Sequence, residues 1–169
     1  RTVVGGSRRY GARLMQDLPA GARAALPVTR VRRAADGAHV RTADGVEHRF
    51  DAVVLACHAD EALRLIEAPR PGESAVLSRF SYQENRTILH TDATLMPRQR
   101  RIWSSWNYLA ATGSAGTERV SVTYWMNRLQ GLPGDRQFFV SLNPLREPRP
   151  ASVVADITYH HPVFDGEAM

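Results

Sequence analysis

Asp51-Ala52-Val53-Val54-Leu55-Ala56 is the stretch on which the fold turns. From Ala52 onward the apolar side chains follow one another without a polar break, the pattern of a short strand covered on both faces in a parallel sheet. Upstream the periodicity is different. Extended segments over about 24–33, 38–42 and 46–50 are separated by Asp36-Gly37 and Asp44-Gly45. Asp-Gly between alternating segments predicts tight hairpins, so a three-stranded antiparallel meander leads into the apolar run. Further upstream, Val3-Val4 reads as strand and Gly5-Gly6 as a turn. Ser7 reads as the cap of a helix reaching about Leu18, with Tyr10, Leu14 and Leu18 on one face. Pro19-Ala20-Gly21 predicts its end.

Downstream of the run, Asp60-Glu61 predicts the first turn of a short helix carrying Leu63, Leu65 and Ile66. Pro69 to Gly72 breaks the chain and marks a boundary. Beyond it the sequence reads as mostly antiparallel sheet, with strands over 86–91, 102–108, 119–126, 137–142 and 153–159 and a proline-rich loop over 143–150. In the third of these, Val120, Val122, Tyr124 and Met126 share one face, and Ser121, Thr123 and Trp125 the other. The predicted class is α+β. Its divisions are 1–66, a linker over 67–72, a second domain over 73–155, and a return toward the first over 156–169. The opening on a strand and the stop just past Asp165-Gly166 read as an internal piece of a longer chain.

Composition narrows the classes. Hydrophobic content of 43% with 23% charged residues is ordinary for a globular protein. No apolar run approaches the ~20 residues that cross a bilayer, and no signal pattern opens the chain. A single cysteine, Cys57, excludes an internal disulfide and fits a reducing cytoplasm. The net charge of +5 invites a nucleic-acid reading. Yet all 22 basic residues are arginines, scattered except for Arg98, Arg100 and Arg101. That cluster reads as a solvated loop in preference to a phosphate site, and no nucleic-acid partner is expected.

The ordered pieces Val4-Gly5-Gly6-Ser7, Leu26-Pro27-Val28 with Val31, Val40-Arg41-Thr42, Asp44-Gly45 and Asp51 to Ala56 resemble the flavin-dependent amine oxidase superfamily, which includes monoamine oxidases and protoporphyrinogen oxidase. Leu95-Met96-Pro97, Trp106-Asn107-Tyr108, Tyr124-Trp125-Met126-Asn127 and His160-His161-Pro162-Val163-Phe164 resemble a bacterial branch of predicted NAD- or FAD-binding proteins. The resemblance implies a two-domain FAD/NAD(P)-binding fold. The meander and the parallel strand would belong to the FAD domain and the antiparallel sheet to the substrate domain. It also implies a FAD-dependent oxidoreductase that removes hydride from an activated C–H bond of a small molecule. One departure matters: the glycine-rich turn G-x-G-x-x-G that grips the FAD pyrophosphate is absent from this sequence. The piece alone is therefore expected to contribute FAD contacts without holding FAD. A non-catalytic module for an apolar ligand or a partner is the alternative.

Within the resemblance, Val28 occupies the place whose backbone pairs with the adenine edge. Ala56 and Cys57 end the apolar strand, where ligands collect in open α/β folds. Gly5 and Gly6 lie near the flavin or simply form a turn. Arg86, or Thr87 beside it, falls about where several relatives carry a lysine near the flavin N5 atom, which makes Arg86 a weak catalytic candidate. Trp103, Trp106 and Tyr124, with Tyr108 and Trp125, are candidates for an apolar substrate wall. Cys57-His58 is not expected to act as a nucleophilic pair, because strand neighbours diverge. His160-His161 lacks a third ligand, so no metal is expected.

Overall fold

The computed structural model describes residues 3–18, 23–112 and 118–166. The helix break expected at Pro19-Ala20-Gly21 lies outside the described residues. The chain divides into two compact units, one of residues 1–18 with 84–160 and one of residues 19–83 with 161–169. The class is α+β, with short helices and two sheets.

In the unit containing residues 19–83, β1 (Val28–Ala34), β2 (Gly37–Thr42) and β3 (Glu47–Phe50) form the expected antiparallel meander. Gly37 turns the first hairpin with φ +133, and a Cβ there would sit 2.4 Å from the Phe50 carbonyl oxygen. Only glycine fits that approach. Arg32, His39, Glu47 and Arg49 occupy the solvent side of the meander. Arg32 pairs with Glu47, and Arg49 with Asp36. Two short helices follow, α2 (Ala59–Leu65) and α3 (Pro71–Leu77). The break read at 69–72 lies inside this unit, where Pro71 begins α3. Glu73 accepts from the Arg70 backbone N–H at 2.9 Å and pairs with the Arg33 guanidinium.

The parallel strand expected over 52–56 does not form. Those residues lie outside any strand, and Val54 is 89% exposed. Val53 and Leu55 turn toward Val31, Ala38 and Ile66, while Ala52, Val54 and Ala56 face away. One side is thus covered and the other is not. A buried parallel strand needs neighbours along its edges and layers on both faces. Among the described residues the parallel pairing near it is a lone bridge between Val31 and Ile66.

The other unit contains α1 (Ser7–Gln16) and the larger sheet. Gly6, not Ser7, stands at the cap position of α1, and no side chain caps it. The sheet has strand order β5-β6-β7-β4-β8. Its strands are β4 (Ser81–His90), β5 (Trp106–Thr112), β6 (Glu118–Trp125), β7 (Phe139–Leu142) and β8 (Val153–Val163), with a short helix α4 (Met126–Gln130) after β6. The expected strand over 102–108 starts later, at Trp106, because a 3₁₀ turn over Arg100–Ile102 and the Trp103–Ser105 bend precede it. Phe139, Met96 and Trp103 form the hydrophobic core of this sheet, with Trp125 packed against them.

Candidate functional site

Two surfaces carry part of the residues singled out in the sequence, one in each unit. The first is on the meander. Val28 and Val31 are three apart, so in a regular strand they would face opposite sides. They do not, because the register slips by one residue between Val28 and Arg30. Val28 lies opposite Thr42 and Val31 opposite Val40, and directly opposed residues share a face. The extra residue, Thr29, is a β-bulge that turns Val28 onto the apolar face. Bulges recur beside binding sites because they re-aim a side chain in this way. There Val28, Leu26, Val40 and Phe50 line an open cleft of about 460 Å³ whose polar lining is Thr42, His48 and Arg23. An apolar cleft with a few polar groups at its margin suits a flat heterocycle. The adenine end of a nucleotide cofactor therefore fits the residues present, whereas this chain offers no three-glycine phosphate turn.

Ala56 and Cys57 are exposed, and neither lines this cleft. His58 stacks on Tyr82 with ring centroids 4.4 Å apart, and the Tyr82 hydroxyl accepts the Ala59 N–H at 2.7 Å. His58 is thus engaged as part of the α2 start rather than with Cys57. Gly5 and Gly6 belong to the other unit, with φ of +82 and +86. The Gly6 N–H donates to the Val3 carbonyl at 2.9 Å, closing a turn before α1.

The second surface is the outer face of the five-stranded sheet. Trp106 lies opposite Tyr124, with ring centroids 5.6 Å apart, and Tyr108 lies opposite Val122. Val140 and Leu142 of β7 continue this face, as the partners of Tyr124 and Val122. Trp106 is 60% and Tyr108 71% exposed. The face carries no charged side chain across these positions. Trp103 is elsewhere. It packs edge-on against Trp125 and Phe139 on the inner side, and its indole N–H donates to the Pro97 carbonyl at 2.7 Å. The structure therefore brings Trp106, Tyr108 and Tyr124 together and leaves Trp103 and Trp125 in the core.

Arg86 is held by two carboxylates. Its guanidinium donates to both oxygens of Asp156 and, at 2.7 Å, to Glu147. These hydrogen bonds, to Asp156 first and then Glu147, raise its pKa above an already high value. An arginine clamped between two carboxylates holds β4 to β8 and to the loop before it. Thr87 is buried, and its hydroxyl points to the Asn85 carbonyl.

Sequence reasoning missed the inner face of this sheet. Ser121, Thr123 and Ser141 are buried there, with Asn107 and His90, while the valines of β6 face out. The hydroxyls are tolerated because each is hydrogen-bonded. Thr123 and Ser141 meet at 2.8 Å, and Ser121 donates to the Leu142 carbonyl. The Asp92 N–H donates to Nδ1 of His90, so the ring proton sits on Nε2 and is donated to Ser141 Oγ at 2.9 Å. An imidazole already donating to a serine cannot take its proton, and both residues are 0% exposed. This Ser–His pair is structural.

Burial lowers the His90 pKa, opposed in part by the nearby Asp92 carboxylate. Below about 6.5 the unfolded chain takes up a proton that folded His90 resists, so its contribution to stability is present above that pH and is lost as pH falls. The melting temperature is expected to drop between about pH 7.5 and 5.5, and less steeply in His90→Gln, whose amide keeps a donor and an acceptor. Equal slopes for the two proteins would remove His90 as the source.

No helix among the described residues is long and apolar enough to cross a membrane. The model of a family described as flavin containing amine oxidoreductase matches residues 2–138. Among solved structures, the crystal structure of CLA-producing fatty acid isomerase from P. acnes aligns with a TM-score of 0.61 at 14% identity, over 93% of this chain. The aligned part is 40% of that protein's chain, and at this identity the likeness is one of fold. No curated protein matches the sequence.

Proposed function

The chain belongs to the flavin-containing amine oxidoreductase family, and from that premise we propose that it forms part of a FAD-dependent oxidoreductase acting on a small apolar molecule. The observation that carries this reading is the bulge at Thr29, which turns Val28 into the open cleft on the meander. Val28 and its neighbours there form the wall for the adenine end of FAD, with Leu26 and Phe50 as apolar flanks. Ala56, Cys57, Gly5 and Gly6 are assigned to the flavin side on the strength of the family pattern alone. Residues 1–66 serve FAD and 73–155 the substrate, joined by 67–72, with 156–169 returning to the FAD side.

Bound flavin supplies the redox chemistry, accepting a hydride from an activated C–H bond. The protein's own contribution is orientation and exclusion of water. Trp106, Tyr108 and Tyr124 offer an uncharged aromatic wall that desolvates an apolar substrate and holds it in place. Trp103 supports that wall from behind by packing the core. The single cysteine suits a reducing cytoplasm. Taken alone, this stretch lacks the glycine turn that grips a pyrophosphate, so it is not expected to oxidise a substrate by itself.

The test is made on the polypeptide encoded by the reading frame that contains this chain. It is expected to purify with a visible flavin band and to release FAD on denaturation. A colourless protein that gains no flavin on titration with FAD would favour the alternative, a ligand- or partner-binding relative without catalysis.

A further inference from the structure

The arginines of this chain are not alike in their surroundings. Arg30, Arg32, Arg33, Arg49, Arg64 and Arg86 each meet a carboxylate. A second group lies on the turn that follows β4 and on the loop before β8. Among the described residues no carboxylate lies within ion-pair reach of Arg98, Arg100, Arg101 or Arg146, and Arg149 pairs with a buried one, Asp92. Other arginines, Arg41, Arg119 and Arg136 among them, also lack an ion pair among the described residues, so what sets this group apart is the cleft that three of its members share.

Arg98, Arg146 and Arg149 line one cleft of about 600 Å³, whose apolar lining includes Met96, Pro97 and Trp103. Two of the three guanidiniums are held in place by contacts that leave some of their donors free. Arg146 donates one nitrogen to the Thr94 carbonyl, a neutral acceptor. Arg149 gives Nε and one terminal nitrogen to Asp92, while its side chain remains 72% exposed. The guanidinium carries five donors in a rigid fork, so donors remain on both residues. Arg98 has no hydrogen-bond or ion-pair partner among the described residues and is exposed. Pre-positioned forks above an apolar floor recognise an oxyanion on an apolar body, since little side-chain freedom is left to lose on binding.

We propose that this cleft binds a small organic anion, a phosphate or carboxylate head on an aromatic or apolar body. Arg98 and Arg146 take the head, Arg149 flanks it, and Met96, Pro97 and Trp103 meet the body. The proposal does not depend on flavin binding, since its residues are separate from the meander cleft and from the outer sheet face.

Calorimetric titration of the full chain with phenyl phosphate, benzoate and inorganic phosphate tests it. Phenyl phosphate or benzoate should bind saturably, more tightly than inorganic phosphate, and more weakly as salt rises. Tighter binding of benzoate assigns a carboxylate head and the reverse a phosphate head. The double variant Arg98→Gln, Arg146→Gln should weaken binding by about tenfold or more, as expected for loss of charge-assisted contacts. Arg101→Gln, on the same turn but outside the cleft, should change it little. Equal melting temperatures for the variants and the parent exclude a folding defect. The proposal is overturned by an absence of saturable binding, by binding unchanged in the double variant, by organic anions binding no tighter than inorganic phosphate, or by a single-stranded oligonucleotide binding more tightly than either organic anion.

Discussion

Replacing Phe139 by alanine is expected to destabilise the fold by about 3–5 kcal/mol, the range for deleting a fully buried phenyl ring. Phe139 is 0% exposed and sits on the central strand β7, opposite His90 on one side and Trp125 on the other. Its ring meets Trp103 edge-on at 5.7 Å and His90 at 5.6 Å. Removing it leaves a void that neither strand neighbour can collapse into, because both are held in ladders and by their own polar bonds. A loss of that size is a large share of the ~5–15 kcal/mol that holds a typical domain folded. Urea unfolding followed by tryptophan fluorescence suits the test, since Trp103 and Trp125 both lie against the cluster. Phe139→Leu should retain most of the stability, because it keeps apolar volume. A loss below about 1 kcal/mol in the alanine variant would show that the core does not centre on this ring.

The same cluster shows what could and could not be read from the sequence. The meander was legible because Asp36-Gly37 and Asp44-Gly45 are local signals, and local signals fix local turns. Of the larger sheet's strands, β6 and β7 lie within one or two residues of the expected segments, whereas β4 starts five residues earlier and β5 four later. What failed depended on partners. The apolar run at 52–56 states only that its side chains favour cover on both faces; it does not supply that cover, and Val54 is left in solvent. Trp103 and Trp106 look equivalent as aromatic residues three apart, yet the bend at Trp103–Ser105 sends one into the core and the other onto the open face. That bend is fixed by Asn107, which accepts from the Ser104 N–H and donates to the Ser104 and Thr123 carbonyls. Alternation in β6 is legible in the sequence, but alternation alone does not say which face is inner. Buried hydroxyls become acceptable only when their partners arrive from other strands, as Ser141 does for Thr123. The candidate site was half legible. Val28 emerged through family pattern, while the bulge that aims it requires the register of two strands, and the only trace in the sequence is the odd spacing to Val31.

Asp92 is expected to be the most sensitive polar position, and nothing near it in sequence announces this. Its carboxylate is 1% exposed yet accepts the backbone N–H groups of Thr94 and of Arg149, together with the Arg149 guanidinium. Burial by itself would raise its pKa. The donated N–H groups outweigh burial and hold it well below the usual carboxylate range. Asp92→Ala removes the acceptor and strands two backbone donors, and the Arg149 side chain escapes to water. The expected loss is about 2–4 kcal/mol, between the cost of unsatisfied buried donors and that of a broken buried ion pair. Asp92→Asn keeps one acceptor oxygen and should fall between the two. The sign of the pH dependence follows from the depressed pKa. The stabilisation is complete above the unfolded value near 4 and is lost as pH falls toward the folded one. In the alanine variant that part of the acid transition should vanish, so the stability difference between the two proteins should shrink as pH falls from about 5 toward 3. A difference that stays constant across that range would mean the carboxylate acts by shape alone. The charge–hydrogen-bond account of how residues 91–94 are tied to residue 149 would then be wrong.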